Sequence, residues 1–212
     1  MKDKVEYGKW TEEEVKAFLE DIYSTDRHMS NVVTQTDGFF TLLFHHLLDE
    51  IKGELNNASI LDWGCGSGIG AYRIKQMFNN AIVEGRDISS EAIKFANDNY
   101  SKLDIMFSDK ILDDEKFDII INSNCLEHFL NNVEIVEKHL KYNVNKYYII
   151  LVPYKGRIVN KISDHISTID ENTFPEKLGD ATRITSKVVF STPYKCWTGY
   201  QLLIVYKKEM KK

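Results

Sequence analysis

The sequence predicts a doubly wound α/β fold, in which helices cover both faces of a mostly parallel, seven-stranded sheet. Between residues 60 and 152, short apolar segments of strand length alternate with segments of helical periodicity. Strands that alternate with helices form parallel sheets. Two further strand-like segments, 186–191 and 200–207, follow each other with no helix between them. They predict an antiparallel hairpin at the carboxyl end of the sheet.

The amino-terminal part of the chain is predicted to be helical. Thr11 followed by Glu14 is a capping-box pattern, which opens a helix that ends near Tyr23. A second helix is predicted over 39–51, where apolar residues recur at helical spacing. The polar segment 24–38 between them is predicted to be a loop, either a solvated connection or a lid over a substrate.

The remaining elements follow in alternation. The predicted strands are 60–62, 81–87, 105–107, 117–121, 147–152, 186–191 and 200–207. Helices are predicted over 69–78 and 133–140, and another begins at Ser89, whose side chain can cap it. The strand over 117–121 is apolar on both faces, which indicates a central position in the sheet. A short helix is also predicted to begin at Asp170.

Residues 60–70, ILDWGCGSGIG, combine the end of a buried strand with a glycine-dense turn and the beginning of a helix. Glycine permits positive φ angles and close approach to a ligand, and free amides at the start of a helix form a polar cradle. The glycines are also compatible with close packing alone. Residues 66–71 even satisfy the dinucleotide fingerprint, with Asp87 near the spacing of its ribose-binding acid.

Asp62 distinguishes between these ligands, because a carboxylate at the mouth of the turn repels a pyrophosphate and attracts a cation. With this acid in front of its glycines, the segment resembles the first motif of the class I S-adenosylmethionine-dependent methyltransferases, apolar-Asp/Glu-x-Gly-x-Gly-x-Gly. The resemblance extends from residue 60 to the carboxyl end and leaves the amino-terminal helices outside. It implies the Rossmann-like methyltransferase fold and S-adenosylmethionine as cofactor.

Polar residues follow four of the predicted strands, and the carboxyl ends of parallel strands meet at one edge of the sheet, where ligands bind. At that edge Asp87 can accept both ribose hydroxyls. The resemblance further implies that Ile88 packs on the adenine and that Asp109 receives its amino group, although Asp109 also fits a surface turn. It implies the following cofactor-binding residues: Asp62, Gly64, Cys65, Gly66, Gly68, Asp87, Ile88, Asp109, Asn122, Ser123 and Asn124.

Methyl transfer mainly requires that the two reactants are aligned and that water is excluded. A phenol or amine acceptor also needs a base, for which the sequence offers Glu127 and His128 after the fourth strand and Asp164-His165 after the fifth. Leu-Glu-His at this position resembles a large group of small-molecule methyltransferases. We predict that Glu127, His128 and His165 are catalytic, while His128 also fits a buried histidine that is hydrogen-bonded to the backbone.

Some relatives of that group bind a divalent metal through Glu-x-x-Glu-His, and the small-RNA 3'-terminal 2'-O-methyltransferases add a later histidine. Glu127, His128 and His165 match this pattern. Asn124, however, stands where the first glutamate would be, and losing a carboxylate weakens a site for a hard metal. The sequence therefore predicts no metal, with a metal-dependent RNA-end methyltransferase as the alternative.

Composition limits the possible partners and compartment. The net charge of −5 argues against a nucleic-acid backbone as the main partner. No apolar run is long enough to span a bilayer and no signal-peptide core follows Met1, while three scattered cysteines indicate free thiols in a reducing compartment. We predict a cytoplasmic protein of unknown oligomeric state.

The length of 212 residues fits one domain. We predict a helical cap or lid over 1–58 and a core over 59–212, in which 154–185 is a substrate insertion. Tyr7 and Trp10, together with the polar loop and the insertion, are predicted to form the pocket of a small-molecule acceptor that is methylated at oxygen or nitrogen. A non-catalytic cofactor-binding module remains an alternative, and a dinucleotide oxidoreductase a more distant one.

Overall fold

The computed structural model describes residues 11–24, 26–110, 112–155, 165–191 and 199–209. The helices are α1 (Glu12–Tyr23), α2 (Asp26–His46), α3 (Asp49–Leu55), α4 (Ile69–Met77), α5 (Ser90–Tyr100) and α6 (Asn132–Tyr142). The strands are β1 (Ser59–Trp63), β2 (Ile82–Arg86), β3 (Ile105–Ser108), β4 (Phe117–Ser123), β5 (Val144–Pro153), β6 (Lys177–Leu178), β7 (Ala181–Phe190) and β8 (Tyr200–Lys208).

One sheet contains all eight described strands, in the order β3-β2-β1-β4-β5-β8-β7-β6. The first five strands pair in parallel, and β8 lies antiparallel between β5 and β7. The predicted parallel sheet with an antiparallel carboxy-terminal pair is confirmed. The additional strand, β6, has two residues paired with β7, and two residues are too few to show a period in the sequence.

Apolar residues on both faces of the sheet explain why the central strands are buried. In β4, Ile119 and Ile121 join the core on one face, and Ile120 joins the core on the other. Ile149 and Ile150 of β5 divide in the same way. This is the pattern expected of parallel strands covered by helices on both sides, and it confirms the central position predicted for β4.

The segment 24–38, predicted to be a loop, is mostly helical: α2 begins at Asp26 and continues to His46. Most residues of this segment are polar, so the sequence gives little sign of the helical face on which Met29 is buried. Asp37 on this helix accepts hydrogen bonds from Arg73 on α4, so a residue of the predicted loop ties two helices together. Tertiary contacts of this kind outweigh weak local helix propensity.

Two other predicted helices differ in the structure. The helix predicted over 39–51 is interrupted after His46, and α3 begins at Asp49. At Asp170 the chain forms a turn, because its carboxylate accepts the N–H of Asn172 at 2.9 Å. Such Asx turns compete with helix formation, and Pro175 disfavours helical backbone at the residue before it.

Gly70→Ala is expected to destabilise the fold by about 1–3 kcal/mol, because overpacking forces its neighbours to move. A Cβ at this position would lie 2.3 Å from the Phe40 ring and 2.6 Å from Asp62 Oδ2. Urea unfolding of both variants measures the difference. The control is Gly53→Ala in α3, where a Cβ meets nothing within 4 Å and where alanine should stabilise the helix by about 0.5–1 kcal/mol. Equal midpoints for the two variants would contradict the prediction.

Candidate active site

Two neighbouring cavities open where β1, β2 and β4 end. The larger, about 430 Å³, is lined by Asp87, Ile88 and Asp109 among others, and its volume is that of an ordinary small-ligand site. The smaller, about 180 Å³, is lined by Asp62 and by the residues that follow β4. Both cavities share residues on their walls: Leu19, Gly64 and His128. The predicted convergence of the strand ends is therefore present in the structure.

The glycine turn after β1 forms the floor between the cavities. Gly64, Gly66 and Gly68 have φ angles of +79°, +48° and +80°, which side chains other than glycine rarely adopt. A Cβ at Gly64 would lie 2.3 Å from Cys125 Sγ. The turn is held against β2 because the N–H groups of Gly64 and Cys65 both donate to the Arg86 carbonyl, at 2.8 and 3.0 Å.

Asp62 is almost fully buried, with 1% of its surface exposed. Its carboxylate accepts the backbone N–H of Ala71, whereas Oδ2 has no hydrogen-bond partner among the described residues. Burial, with a smaller contribution from the Asp87 carboxylate, raises the pKa of Asp62 to about 8. A cation that enters the cavity would stabilise the ionised form of this buried carboxylate, because one of its oxygens has no partner among the described residues.

Asp87 connects the glycine turn to the start of α5. Its carboxylate accepts the N–H of Gly66 at 2.8 Å and the N–H of Ser89 at 2.9 Å. Burial raises the pKa of Asp87, and these two hydrogen bonds oppose the rise. Each carboxylate oxygen retains a lone pair, so Asp87 can still accept hydrogen bonds from a diol.

Glu127, His128 and His165, for which the sequence predicts a catalytic role, lie close together in the structure although Glu127 and His165 are far apart in sequence. Glu127 and His165 are 2% and 7% exposed, and His165 Nε2 lies 3.9 Å from Glu127 Oε1. The His128 and His165 rings meet edge to face with centroids 5.4 Å apart. The backbone near His165 is fixed, because the N–H of Ser167 donates to the Glu127 carbonyl at 3.1 Å.

The other predicted residues lie at the rim or behind the site. Ile88 is 44% exposed and Asp109 is exposed, both at the edge of the larger cavity. Asn122 is buried, and its Nδ2 donates to the Trp63 carbonyl at 2.9 Å, so it supports the end of β1. A Cβ on Gly68 would lie 2.7 Å from Ala96, which makes this glycine a packing position. Other residues with predicted roles lie outside the described part of the chain: Tyr7, Trp10 and Asp164.

Helix α1 closes the site in a way that the sequence analysis missed. The Glu20 carboxylate accepts hydrogen bonds from Ser89 Oγ at 2.7 Å and from the N–H groups of Ser90 and Glu91 at 3.1 and 3.3 Å. It therefore caps α5 from another helix, and although burial opposes the change, these bonds lower the pKa of Glu20. Tyr23 Oη lies 2.5 Å from the position of a Cβ on Gly66, so α1 also covers the turn.

The larger cavity has an apolar inner wall that the sequence analysis also missed. Trp63, Phe129 and His139 line it, and the His139 ring lies edge to face against Trp63, with centroids 4.8 Å apart. Burial lowers the pKa of His139 to about 4. His139 is therefore neutral near pH 7, and its Nδ1 lies 3.1 Å from Tyr148 Oη. Such a wall suits the flat face of a ring system.

Glu20→Ala is expected to increase the dissociation rate of a ligand bound in the cleft about tenfold. The substitution removes the hydrogen bonds that α1 accepts from Ser89, Ser90 and Glu91, and each such bond stabilises the closed position of α1 by roughly 1 kcal/mol or less. Stopped-flow measurement with S-adenosylhomocysteine gives the rate. Asp21→Ala is the control, since Asp21 is exposed on the same helix. If the two variants release the ligand equally fast, Glu20 does not hold the cleft closed.

Comparison with known proteins identifies the family. Residues 54–186 match the family model described as "Methyltransferase domain", which is more than half of the chain. The chain belongs to this methyltransferase family. The family predicted from the glycine turn and the strand-end acids is thereby confirmed, and membership identifies S-adenosylmethionine as the cofactor.

Individual relatives are distant. The 235L protein of Invertebrate iridescent virus 6, named as a methyltransferase, is 28% identical over 104 residues, which are 46% of this chain and 37% of that protein. The chain thus matches little more than a third of the length of this curated relative.

Solved methyltransferase structures share the fold. Magnesium protoporphyrin IX methyltransferase from Synechocystis PCC 6803, with bound S-adenosylmethionine, is 15% identical with a TM-score of 0.66, covering 92% of this chain and 97% of that one. The plantazolicin methyltransferase BpumL, in complex with S-adenosylhomocysteine, is 19% identical with a TM-score of 0.56, covering 92% and 96%. Among the described residues, no helix has the length and apolar character needed to cross a bilayer.

Proposed function

We propose that this chain transfers the methyl group of S-adenosylmethionine to an oxygen or nitrogen of a small molecule. The observation that carries the proposal is the position of Asp62 and the Glu127–His128–His165 cluster on the walls of one small cavity. That cavity adjoins a larger one of cofactor size. The charged end of the cofactor and the group that activates an acceptor would then lie next to each other, as methyl transfer requires.

The adenosine part of the cofactor would occupy the larger cavity. Asp87 would accept the ribose hydroxyls, Ile88 would pack against the adenine, and Asp109 at the rim would accept the adenine amino group. The wall formed by Trp63 and His139 supports this placement, because it offers an apolar surface to the nucleoside.

The methionine part would extend into the smaller cavity. There the ammonium group would pair with Asp62, whose second oxygen has no partner among the described residues. The glycine turn and the backbone after β4 would bind the carboxylate and direct the sulfonium methyl group at the acceptor. Ser123, the last residue of β4, and Asn124, which follows it, line this cavity.

The acceptor would be held between the cap, for which we propose the boundary 1–58, and the segment 154–185. Val32, Gln35 and Thr36 of α2 line the smaller cavity, which supports the prediction that 24–38 contributes to the acceptor pocket although its conformation is helical. The names of the two related enzymes give their substrates as magnesium protoporphyrin IX and plantazolicin.

Two measurements test the proposal. Isothermal titration with S-adenosylhomocysteine should show one site, and Asp87→Ala should weaken it. Incubation of the protein with methyl-labelled S-adenosylmethionine and a metabolite extract should label a small molecule, whereas Glu127→Gln should not. Absence of S-adenosylhomocysteine binding by the wild-type protein would refute the cofactor assignment. Label that enters only an RNA fraction would favour the RNA-end methyltransferase, for which the cluster of one glutamate and two histidines is the supporting observation.

A further inference from the structure

We propose that Glu127, His128 and His165 form a binding site for one divalent transition-metal ion, of the Zn²⁺, Co²⁺ or Fe²⁺ type. The inference rests on the proposed function for the role of the ion, and on the geometry alone for its binding. One ligand atom from each of the three residues lies within 4.8 Å of the other two.

These distances are close to those of an occupied site. Metal–nitrogen and metal–oxygen bonds in such sites are about 2.0–2.2 Å, so ligand atoms around a bound ion lie about 3–3.5 Å apart. To hold an ion, the three side chains would have to rotate so that these atoms come closer together. The backbone is already fixed, since Ser167, two residues after His165, donates from both N and Oγ to the Glu127 carbonyl, at 3.1 and 3.2 Å.

Asn124 supplies a second, independent observation. Its side chain lines the same cavity, and its Oδ1 is a buried atom with no hydrogen-bond partner among the described residues. Its Nδ2 donates to Ser123 Oγ at 3.3 Å, which leaves the amide oxygen as the available ligand atom. An amide oxygen is a neutral metal ligand. Asn124 can therefore serve as a fourth ligand beside Glu127, His128 and His165.

The chemistry of the donors selects the class of ion. The sequence-based prediction of no metal considered a hard ion. Such an ion binds more weakly when Asn124 replaces the negatively charged first glutamate of the Glu-x-x-Glu-His pattern. Two imidazoles and one carboxylate instead suit zinc and other borderline ions, and Mg²⁺ or Ca²⁺ poorly. The described residues that line the cavity include the Glu127 carboxylate and no lysine or arginine, so no lysine or arginine on the described wall opposes the entry of a cation.

A metal ion here would activate the acceptor. With an ion bound by these residues, an acceptor hydroxyl beside it would lose its proton to solvent at a lower pH than a free hydroxyl does. The resulting oxygen anion forms a bond to the methyl carbon as the carbon–sulfur bond of the cofactor breaks, and the electron pair of that bond stays on sulfur. The products are the methyl ether and S-adenosylhomocysteine, so the step requires no oxidant or reductant.

The test measures the binding of the metal directly. The full-length protein is stripped with a chelator, dialysed and titrated with Co²⁺ and with Zn²⁺, with absorption spectroscopy for cobalt and calorimetry for zinc. We expect one equivalent of either ion, a cobalt spectrum typical of mixed nitrogen and oxygen ligands, and weaker binding of Mg²⁺. His165→Ala and Glu127→Ala should each weaken zinc binding at least about tenfold, while the control His45→Ala on α2 should leave it unchanged.

The outcomes separate this inference from the proposed function. A far-UV circular dichroism spectrum and a thermal unfolding midpoint close to those of the wild-type protein show that His165→Ala is folded. If the stripped wild-type protein binds the cofactor product and methylates its acceptor but takes up no zinc or cobalt, the metal site is refuted and the methyltransferase proposal stands. Zinc bound with equal affinity by the wild-type protein and His165→Ala also refutes the site. Zinc uptake that depends on His165, without S-adenosylhomocysteine binding, supports the site and refutes the proposed function.

Discussion

Replacement of Asp62 by asparagine is expected to weaken the binding of S-adenosylhomocysteine about 100-fold at pH 8. The variant keeps the shape of the side chain and loses the negative charge that we propose pairs with the ammonium group of the ligand. Removal of one partner from a buried, hydrogen-bonded charge pair costs about 2–5 kcal/mol. Isothermal titration of the wild-type and variant proteins gives the difference. An Asp62→Asn protein that binds as tightly as the wild type would contradict the placement of the ammonium group.

The same carboxylate should make cofactor binding dependent on pH. Without ligand, the pKa of Asp62 is raised to about 8, so the carboxyl group is largely protonated at pH 7, and pairing with an ammonium group requires that it lose the proton. The free-state pKa is thus higher than the bound-state pKa, and affinity must fall as the pH decreases below 8. One released proton corresponds to about a tenfold rise in Kd per pH unit.

Titrations of S-adenosylhomocysteine between pH 6 and pH 8 test this slope, because the amino group of the ligand stays protonated in that range. The control is Asp109→Asn, the same chemical change at an exposed position on the rim of the cleft, which should leave the slope intact. Asp62→Asn should remove the slope. A wild-type affinity that is constant from pH 6 to pH 8 would show that Asp62 is already ionised in the free protein.

The raised pKa of Asp62 affects protein stability in the opposite direction: ligand affinity rises with pH, whereas the free energy of unfolding falls. Because the pKa of Asp62 is about 8 in the folded protein against an ordinary value of 3.8, the unfolded chain binds fewer protons between those values. The contribution of Asp62 to the free energy of unfolding is therefore lost progressively as pH rises from about 4 to 8. The free form of Asp62→Asn should consequently unfold at a higher temperature than the wild-type protein at pH 7, so that weaker binding accompanies greater stability.

The sequence was sufficient to predict the site wherever a residue's role follows from the strand that precedes it. Asp62 is the penultimate residue of β1, and Asp87 and Asn124 come directly after β2 and β4. The rule that parallel strands end at one edge of the sheet predicts that these residues lie near each other. Glu127 and His165 were named from a motif. Their 3.9 Å approach depends on how the chain after β5 returns, which no local pattern records.

The cap could not be predicted in the same way, because its contacts are made between distant polar residues. Glu20 occupies an ordinary position on an amphipathic helix, and nothing in the local sequence indicates that it caps α5, 70 residues later. The polarity of the segment 24–38 predicts a loop. Its helix forms because Met29 is buried and Asp37 pairs with Arg73, two interactions that exist only in the folded chain.

Glu127→Gln is expected to lower kcat by about 10²–10⁴-fold, the usual contribution of a positioned acid or base, and to leave the Kd of S-adenosylhomocysteine within about threefold of the wild-type value. Glu127 is buried beside His165 and lines the cavity proposed for the acceptor, so its charge acts on the acceptor whether directly, through the imidazoles or through a bound ion. The measurement is steady-state methylation of the acceptor found by labelling. Glu134→Gln is the control, since Glu134 is exposed on α6. If Glu127→Gln has the same kcat as Glu134→Gln and the wild-type protein, Glu127 only supports the fold. The rate would then come from alignment of the two reactants in the cofactor cleft alone.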